Sequence, residues 1–206
     1  MFKANSALAV FGSSLLMFSG ITGAGSLSAE ANPAPVLVAQ GTQTVRMGSL
    51  QTFQAPNGFF SVGFPSNWDL SDLSDEGITR AVSVDPFGNA MFAVAAFETD
   101  QVFTPNQLGV FLQDDVEGVY GDRDAFEMEQ DTVPQNDGSL RVFYTFVDVA
   151  STGETIPFMG NAFIEQRGDL ILLTYFMVPD AQFEALQTQI NEVLNSVSVS
   201  PAPSLK

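Results

Sequence analysis

The sequence contains no cysteine and no histidine. The lack of cysteine excludes disulfides, thiolate zinc sites, cysteine nucleophiles and the lipidated cysteine that anchors bacterial lipoproteins. The lack of histidine removes histidine-based catalytic triads and the commonest metal ligand in proteins. Any catalysis or metal binding must therefore use carboxylate, hydroxyl, amide or amine groups.

Positive charge is also scarce. Seven Lys and Arg residues face 24 Asp and Glu residues, which gives a formal net charge of -17 over 206 residues. Because such a surface repels phosphate backbones and anionic membranes, nucleic acid is not expected as a partner. The apolar fraction of 45%, with 19 Phe residues, supplies enough material for one hydrophobic core.

The first 31 residues have the layout of a cleavable secretory signal peptide. Lys3 gives a basic start, residues 7–18 are an apolar stretch, and Ala29 and Ala31 are small residues at the two positions that a signal peptidase reads. An uncleaved membrane anchor is the alternative, but the apolar stretch is shorter than the roughly 20 residues that a span needs. We therefore expect an exported protein.

Three segments are predicted after the signal peptide. Residues 32–54 are expected to form a flexible linker, because proline and glycine interrupt any helical or strand period there. An alternative interpretation of residues 36–38 in this linker is a short edge strand. Residues 55–200 are expected to form one α/β domain, and the Pro-rich residues 201–206 a disordered tail.

Alternating or continuous apolar runs predict seven strands in this domain. They are expected at residues 60–64, 78–84, 90–97, 126–130, 140–149, 155–165 and 170–177. Residues 90–97 are apolar throughout, which is typical of a strand covered on both faces, so this strand is placed centrally. The short turns between the later strands predict antiparallel neighbours.

Two amphipathic helices complete the pattern. Thr104, Pro105 and Gln107 form a capping box with proline at the first helical position, and Gly121 lies where a left-handed C-terminal cap is expected. A second apolar stripe follows from about residue 180 to 196. The order of elements favours an α+β fold, an α/β/α sandwich whose central, mainly antiparallel sheet is flanked by helices.

Three stretches of the sequence resemble the PsbP-like superfamily, named for the extrinsic P protein of photosystem II. They are residues 58–68 (GFFSVGFPSNW), the hairpins over 126–177, and the closing helix to residue 197. The resemblance covers about residues 55–200, and its sharp motif is the aromatic-Pro-x-x-Trp turn ending at Trp68. It implies a non-enzymatic binding or assembly protein of the periplasm or thylakoid lumen.

The sequence departs from this family in its charge. Plant P proteins dock largely through basic residues, whereas the only Lys beyond the signal is Lys206 and the five Arg are widely spread. The same docking mode is therefore not expected. A monomeric accessory protein that recognises a protein partner, such as a photosystem II assembly intermediate, is the first interpretation. A cation or small-molecule binder is the alternative, and a carboxylate-dependent hydrolase ranks last, since no G-x-S-x-G motif or other nucleophile motif assigns a catalytic residue.

The first candidate site is an acidic segment at the end of the first helix. Its carboxylates could supply oxygen ligands to calcium or manganese, although the spacing is not that of an EF-hand. The candidate ligands are Asp114, Asp115, Glu117, Asp122 and Asp124. A solvated helix face opposite Leu112 and Val116 explains Asp114, Asp115 and Glu117 without any metal.

The second candidate site follows the Trp turn. Its carboxylates are a candidate for a second cation site or a docking patch for a basic partner, and Trp68 with Phe59 and Phe87 for an aromatic surface that binds a peptide or pigment. The site consists of Trp68, Asp69, Asp72, Asp75 and Glu76. A hydrophilic loop beside a Trp that plugs the core is the competing interpretation.

The signal peptide predicts that the exported protein begins at Asn32. Mass spectrometry of the protein recovered from the exported fraction should give the mass of residues 32–206. Ala31→Arg, which puts a long charged side chain where the peptidase needs a small one, should block cleavage. Recovery of the full-length chain in the membrane fraction would instead indicate the uncleaved anchor.

Overall fold

The computed structural model describes residues 43–149 and 153–199. The predicted signal peptide, residues 32–42 of the predicted linker and the predicted tail lie outside the described residues. Neither helix in the described part of the chain has the length and the apolar character that crossing a membrane requires.

The described residues form eleven strands and two α-helices. The strands are β1 (Leu50–Gln54), β2 (Phe60–Pro65), β3 (Asp69–Asp72), β4 (Ile78–Val84), β5 (Met91–Glu98), β6 (Asp124–Met128), β7 (Val133–Pro134), β8 (Leu140–Val149), β9 (Thr155–Arg167), β10 (Leu170–Pro179) and β11 (Ser198–Val199). The helices are α1 (Pro105–Tyr120) and α2 (Phe183–Asn195), and a short 3-10 turn (Asp180–Gln182) leads into α2.

The strands form two sheets. The large sheet has the order β3-β4-β5-β10-β9-β8-β6, with β7 also paired to β8, and the small sheet has the order β1-β2-β11. Every pairing is antiparallel. The predicted fold class is confirmed, and so is the central place of the apolar strand β5, which lies between β4 and β10.

Each face of the large sheet carries its own hydrophobic core. On one face, α1 packs on β8 and β9, with Leu112 and Val116 fully buried. On the other, the small sheet and α2 cover β5 and β10. Alternate residues of β5 supply both cores, since Ala93 and Ala95 face α1 while Phe92 and Val94 face α2.

The predicted start of α1 and its end at Gly121 are confirmed, but the predicted left-handed conformation of that cap is wrong. Thr104 and Gln107 form the capping box, with Pro105 at the first helical position. Gly121 has φ -59° and is therefore right-handed. A Cβ at Gly121 would lie 2.5 Å from the carbonyl oxygen of Glu117, so glycine is needed here for a close approach of the backbone.

The predicted linker boundary at residue 54 is also wrong. Residues 50–54 form β1, which pairs along its whole length with β2. Val45 is buried, and its N–H donates to Oε1 of Gln182 at 2.7 Å. The described domain therefore includes residues that the sequence pattern assigned to a tether. The strands β3, β7 and β11 were missed because they are only two to four residues long.

The three tyrosines of the chain all lie in the core beneath α1. Tyr120 of α1 stacks on Tyr144 of β8 with ring centroids 4.7 Å apart. The Tyr144 hydroxyl donates to the carbonyl oxygen of Phe176 at 3.0 Å. This packing requires glycine at position 160, since a Cβ there would lie 2.6 Å from the Tyr144 hydroxyl.

Burial of the three rings predicts an unusual alkaline titration. Burial raises the pKa of Tyr120 to about 12 and the pKa values of Tyr144 and Tyr175 well above their ordinary value. In the unfolded chain the tyrosine hydroxyls ionise at about pH 10, whereas in the folded chain they stay protonated. The free energy of unfolding should therefore fall as the pH rises above that value.

Phenolate absorbance and circular dichroism, recorded together during an alkaline titration, test this expectation. In the native protein, phenolate should appear only together with loss of structure. In concentrated urea it should appear near about pH 10. A native protein that ionises a tyrosine near this pH while remaining folded would contradict the described packing.

Candidate functional site

The candidate site is an open groove between α2 and the large sheet, with a volume of about 380 Å³. It lies on the face of the large sheet against which α2 packs, where the sheet extends beyond α2 and the small sheet. Because α2 packs on β2 and β10, none of the described residues of β8 belongs to the core on this side. The floor is formed by β8, β9 and β10, and one wall by α2.

Asn161 of β9 is a polar side chain in an apolar part of the groove floor. Its strand neighbours are Phe143 and Phe176, and the residues on the same face, Met159 and Phe163, pack against the core. Only 7% of Asn161 is exposed, and its Oδ1 atom has no hydrogen-bond partner among the described residues. A buried polar atom without a partner is rare in proteins and calls for an explanation, which a ligand group at this point would supply.

Arg141 of β8 lies beside Asn161 in the same groove. Its Nη2 group donates to both carboxylate oxygens of Glu129 at 3.3 Å, and Glu129 in turn accepts from the N–H of Phe143 at 3.1 Å. These contacts fix the guanidinium. Its Nε is buried and has no hydrogen-bond partner in the described ranges. Among the described residues, the floor thus contains two buried polar atoms without a hydrogen-bond partner, the donor Nε of Arg141 and the acceptor Oδ1 of Asn161.

The charged residues that line the groove balance one another. They are Arg141, Arg167, Asp137 and Glu165. Arg167 donates to Glu165 at 2.7 Å. Asp137 accepts from the N–H and the hydroxyl of Ser139, and the backbone hydrogen bond from Ser139 is the main cause that lowers the pKa of Asp137. The groove lining thus carries two charged residues of each sign, in a protein with net charge -17.

Side-chain amides form the wall on α2. Gln187, Asn191 and Asn195 are spaced four residues apart and therefore lie along one side of the helix, facing the groove. All three residues are exposed. Below them, apolar residues of α2 and the sheet continue the lining, including Phe183, which stacks on Phe176 with centroids 6.3 Å apart. The wall thus offers hydrogen-bond donors and acceptors above an apolar floor.

The acidic segment predicted to bind calcium or manganese does not assemble into a site. Within the described residues, no three acidic side chains are placed to hold a metal ion. Asp114, Glu117, Asp122 and Asp124 are exposed. Asp115 is buried, with 2% exposure, so the prediction that it lies on a solvated face is wrong.

The position of Asp115 follows from the helical period. It lies three residues after Leu112 and four before Val119, and therefore on the buried side of α1. There its carboxylate accepts a hydrogen bond from the Tyr175 hydroxyl. Arg80 is buried nearby, where desolvation lowers its pKa and the charges of Asp115 and Asp75 oppose that shift. This polar cluster is internal to the core beneath α1 and lies apart from the groove.

The second predicted site is divided by the fold. Trp68 is 6% exposed, its Nε1 donates to the carbonyl oxygen of Arg46 at 2.9 Å, and its ring lies 5.6 Å from that of Phe92. The prediction that it contacts a partner is wrong, because it fills the core. The acidic residues of this site, Asp69, Asp72, Asp75 and Glu76, are exposed along edge strand β3 and the loop after it.

Comparison with known proteins places this architecture. No protein-family model matches the sequence, and no curated protein matches it. A large antiparallel sheet with helices on both faces, arranged as described, is the PsbP-like fold. The chain is similar to the solution structure of cyanobacterial PsbP from Synechocystis, with a TM-score of 0.50 and 14% identity over 79% of this chain and 99% of that one.

Two further solved structures show a weaker likeness. One is the Ran-binding protein Mog1p of Saccharomyces cerevisiae, with a TM-score of 0.45 and 13% identity over 75% of this chain and 96% of that one. The other is a protein of Bacteroides thetaiotaomicron, with a TM-score of 0.42 and 16% identity. This chain is covered over 76%, and that protein over 50%. Neither adds to the fold assignment.

Sequence reasoning missed the groove, although one signal pointed to it. In β9, Asn161 occupies an inward position between Met159 and Phe163, where the period of two demands an apolar residue. A polar residue at such a position is a candidate for function. The partners of Arg141 and the amides of α2 have no comparable signal, because they meet only through the pairing of distant segments.

Because Oδ1 of Asn161 has no hydrogen-bond partner among the described residues, we expect the free protein to tolerate replacement of this side chain. Asn161→Leu replaces a buried, unsatisfied amide with an apolar side chain of similar size, and should raise the free energy of unfolding by about 1 kcal/mol. Urea denaturation measures the change. Asn191→Leu, at an exposed position on α2, is the control and should change it by less than about 0.5 kcal/mol. A clear loss of stability in Asn161→Leu would show that the amide is satisfied in the free protein.

Proposed function

We propose that this chain is an exported, non-enzymatic binding protein that recognises a protein partner through the groove between α2 and the large sheet. One observation carries the proposal: an open groove of about 380 Å³ contains a buried donor on Arg141 and a buried acceptor on Asn161, both without partners in the described residues. Leaving such groups buried costs stability, which a binding role explains.

The chemistry of the groove favours binding over catalysis. Its two carboxylates, Asp137 and Glu165, are each held by a hydrogen bond, to Ser139 and Arg167. A general acid that works near neutral pH needs a raised pKa, whereas the pKa of Asp137 is lowered. Binding needs only the fixed donors, acceptors and apolar surfaces that the groove provides.

The proposal extends to the place of action and the first partners to examine. The predicted signal peptide would deliver the domain to the periplasm or, in a photosynthetic cell, to the thylakoid lumen. The likeness to cyanobacterial PsbP makes photosystem II and its assembly intermediates the first complexes to test. The partner is expected to contact the neutral groove, since basic residues are too few for the docking mode of plant P proteins.

Cross-linking from inside the groove tests the proposal. A photoreactive amino acid replaces Asn191, which lines the groove, in the full-length chain expressed in its own cell. The control carries the same amino acid at Thr188, which is exposed on α2 but outside the groove lining. After illumination, membranes are solubilised gently and the linked peptides are identified by mass spectrometry.

The position-191 protein is expected to link to one segment of one membrane-complex subunit in repeated preparations, and the position-188 protein is not. Adding Asn161→Leu should reduce the linked product by about tenfold or more, because the buried acceptor on the groove floor is lost. Equal linking from both positions, or none from either, would contradict recognition through the groove.

A further inference from the structure

We infer that the groove takes an uncharged, extended peptide segment of the partner and binds its main chain through side-chain amides. This inference rests on the proposed function and names the chemistry that the same site recognises. Four observations support it: the spacing of the amides on α2, the unpartnered pair on the floor, the balance of charge and the apolar lining.

The spacing of the amides matches an extended chain. An α-helix rises about 1.5 Å per residue, so Gln187, Asn191 and Asn195 follow one another at steps of about 6 Å. An extended chain advances about 3.3 Å per residue, so groups that point to the same side recur at about 6.6 Å. The spacing of the three amides therefore matches that of alternate main-chain groups of a bound segment over about 12 Å of helix.

The floor offers the complement of a peptide group. Nε of Arg141 can only donate, and Oδ1 of Asn161 can only accept. A secondary amide supplies both the carbonyl oxygen and the N–H that these atoms need. The amides of α2 each carry a donor and an acceptor as well, so the alternate main-chain groups that face α2 find groups of the opposite kind.

The charge of the groove gives a strongly charged occupant no preference for this site. The guanidinium of Arg141 is already balanced by Glu129, and that of Arg167 by Glu165. An anionic segment would find no uncompensated cation. A cationic segment would be attracted equally by the many exposed carboxylates elsewhere on a chain of charge -17, which gives it no preference for this site.

The apolar lining explains which side chains the segment carries. Phe163, Leu172 and Phe176 of the sheet and Ile190 and Leu194 of α2 contribute to the groove. Alternate side chains of an extended peptide point to opposite sides, so every second side chain faces this floor. The expected segment therefore has apolar residues at alternate positions and small or polar residues between them.

Selection from a library of random seven-residue peptides tests the inference on the mature chain, residues 32–206. The best peptide is synthesised with blocked ends, in one form with a normal backbone and in another with alternate amides N-methylated. Isothermal titration calorimetry measures both. N-methylation removes the N–H groups but leaves the side chains, so the methylated peptide should bind at least about tenfold more weakly.

Protein variants give the reciprocal measurement. The double variant Gln187→Ala with Asn191→Ala should bind the peptide with the normal backbone about tenfold more weakly or worse, because two main-chain contacts are lost. Gln189→Ala removes the same side chain from the same helix outside the groove lining, and should leave the affinity within about twofold. Thermal unfolding of each variant checks that the fold is retained.

Three outcomes overturn the inference. The first is a selected peptide that binds equally well after N-methylation or in the double variant. The second is a failure to select any peptide. The third is binding of a neutral oligosaccharide, with maltotriose as the probe, that the double variant abolishes while no peptide binds. If cross-linking from position 191 still succeeds, the proposed function stands without the main-chain mode, and if it fails as well, both are wrong.

Discussion

The structure depends on covering both faces of a wide antiparallel sheet. A sheet with apolar side chains on its two faces must bury each of them against another element. Here α1 closes one face over β8 and β9, while α2 and the small sheet close the other over β5 and β10. Together, α2 and the small sheet are narrower than the large sheet, and the groove is the part of this face that they leave uncovered.

Both faces of the large sheet contain buried polar groups. Beneath α1, Asp115 receives the Tyr175 hydroxyl and lies near the charge of Arg80, so the polar groups serve one another inside the core. In the groove, Asn161 and Nε of Arg141 have no protein partner among the described residues. The polar groups beneath α1 lie inside closed packing, whereas Asn161 and Arg141 line an open groove.

Charge separates the groove from the rest of the molecule. The strongly acidic exterior keeps the domain away from anionic surfaces and disfavours self-association through like-charge repulsion. Two of the five Arg residues line the groove, where they are paired with carboxylates. Specific recognition is thereby left to hydrogen bonds and shape, which act at short range and only in the right geometry.

The sequence by itself determined the main strands, the start of α1, the antiparallel sheet and the central place of β5, because periods of two and of 3.6 and the capping box are local signals. It left Trp68 between a partner contact and a core plug, and it misplaced Asp115, because the burial of both depends on which element packs above them. Only the tertiary structure decided that Arg141 and Asn161 line the same groove as the amides of α2. These residues come from segments far apart in the chain, and strand register together with the limited width of the α2 cover brings them into one groove.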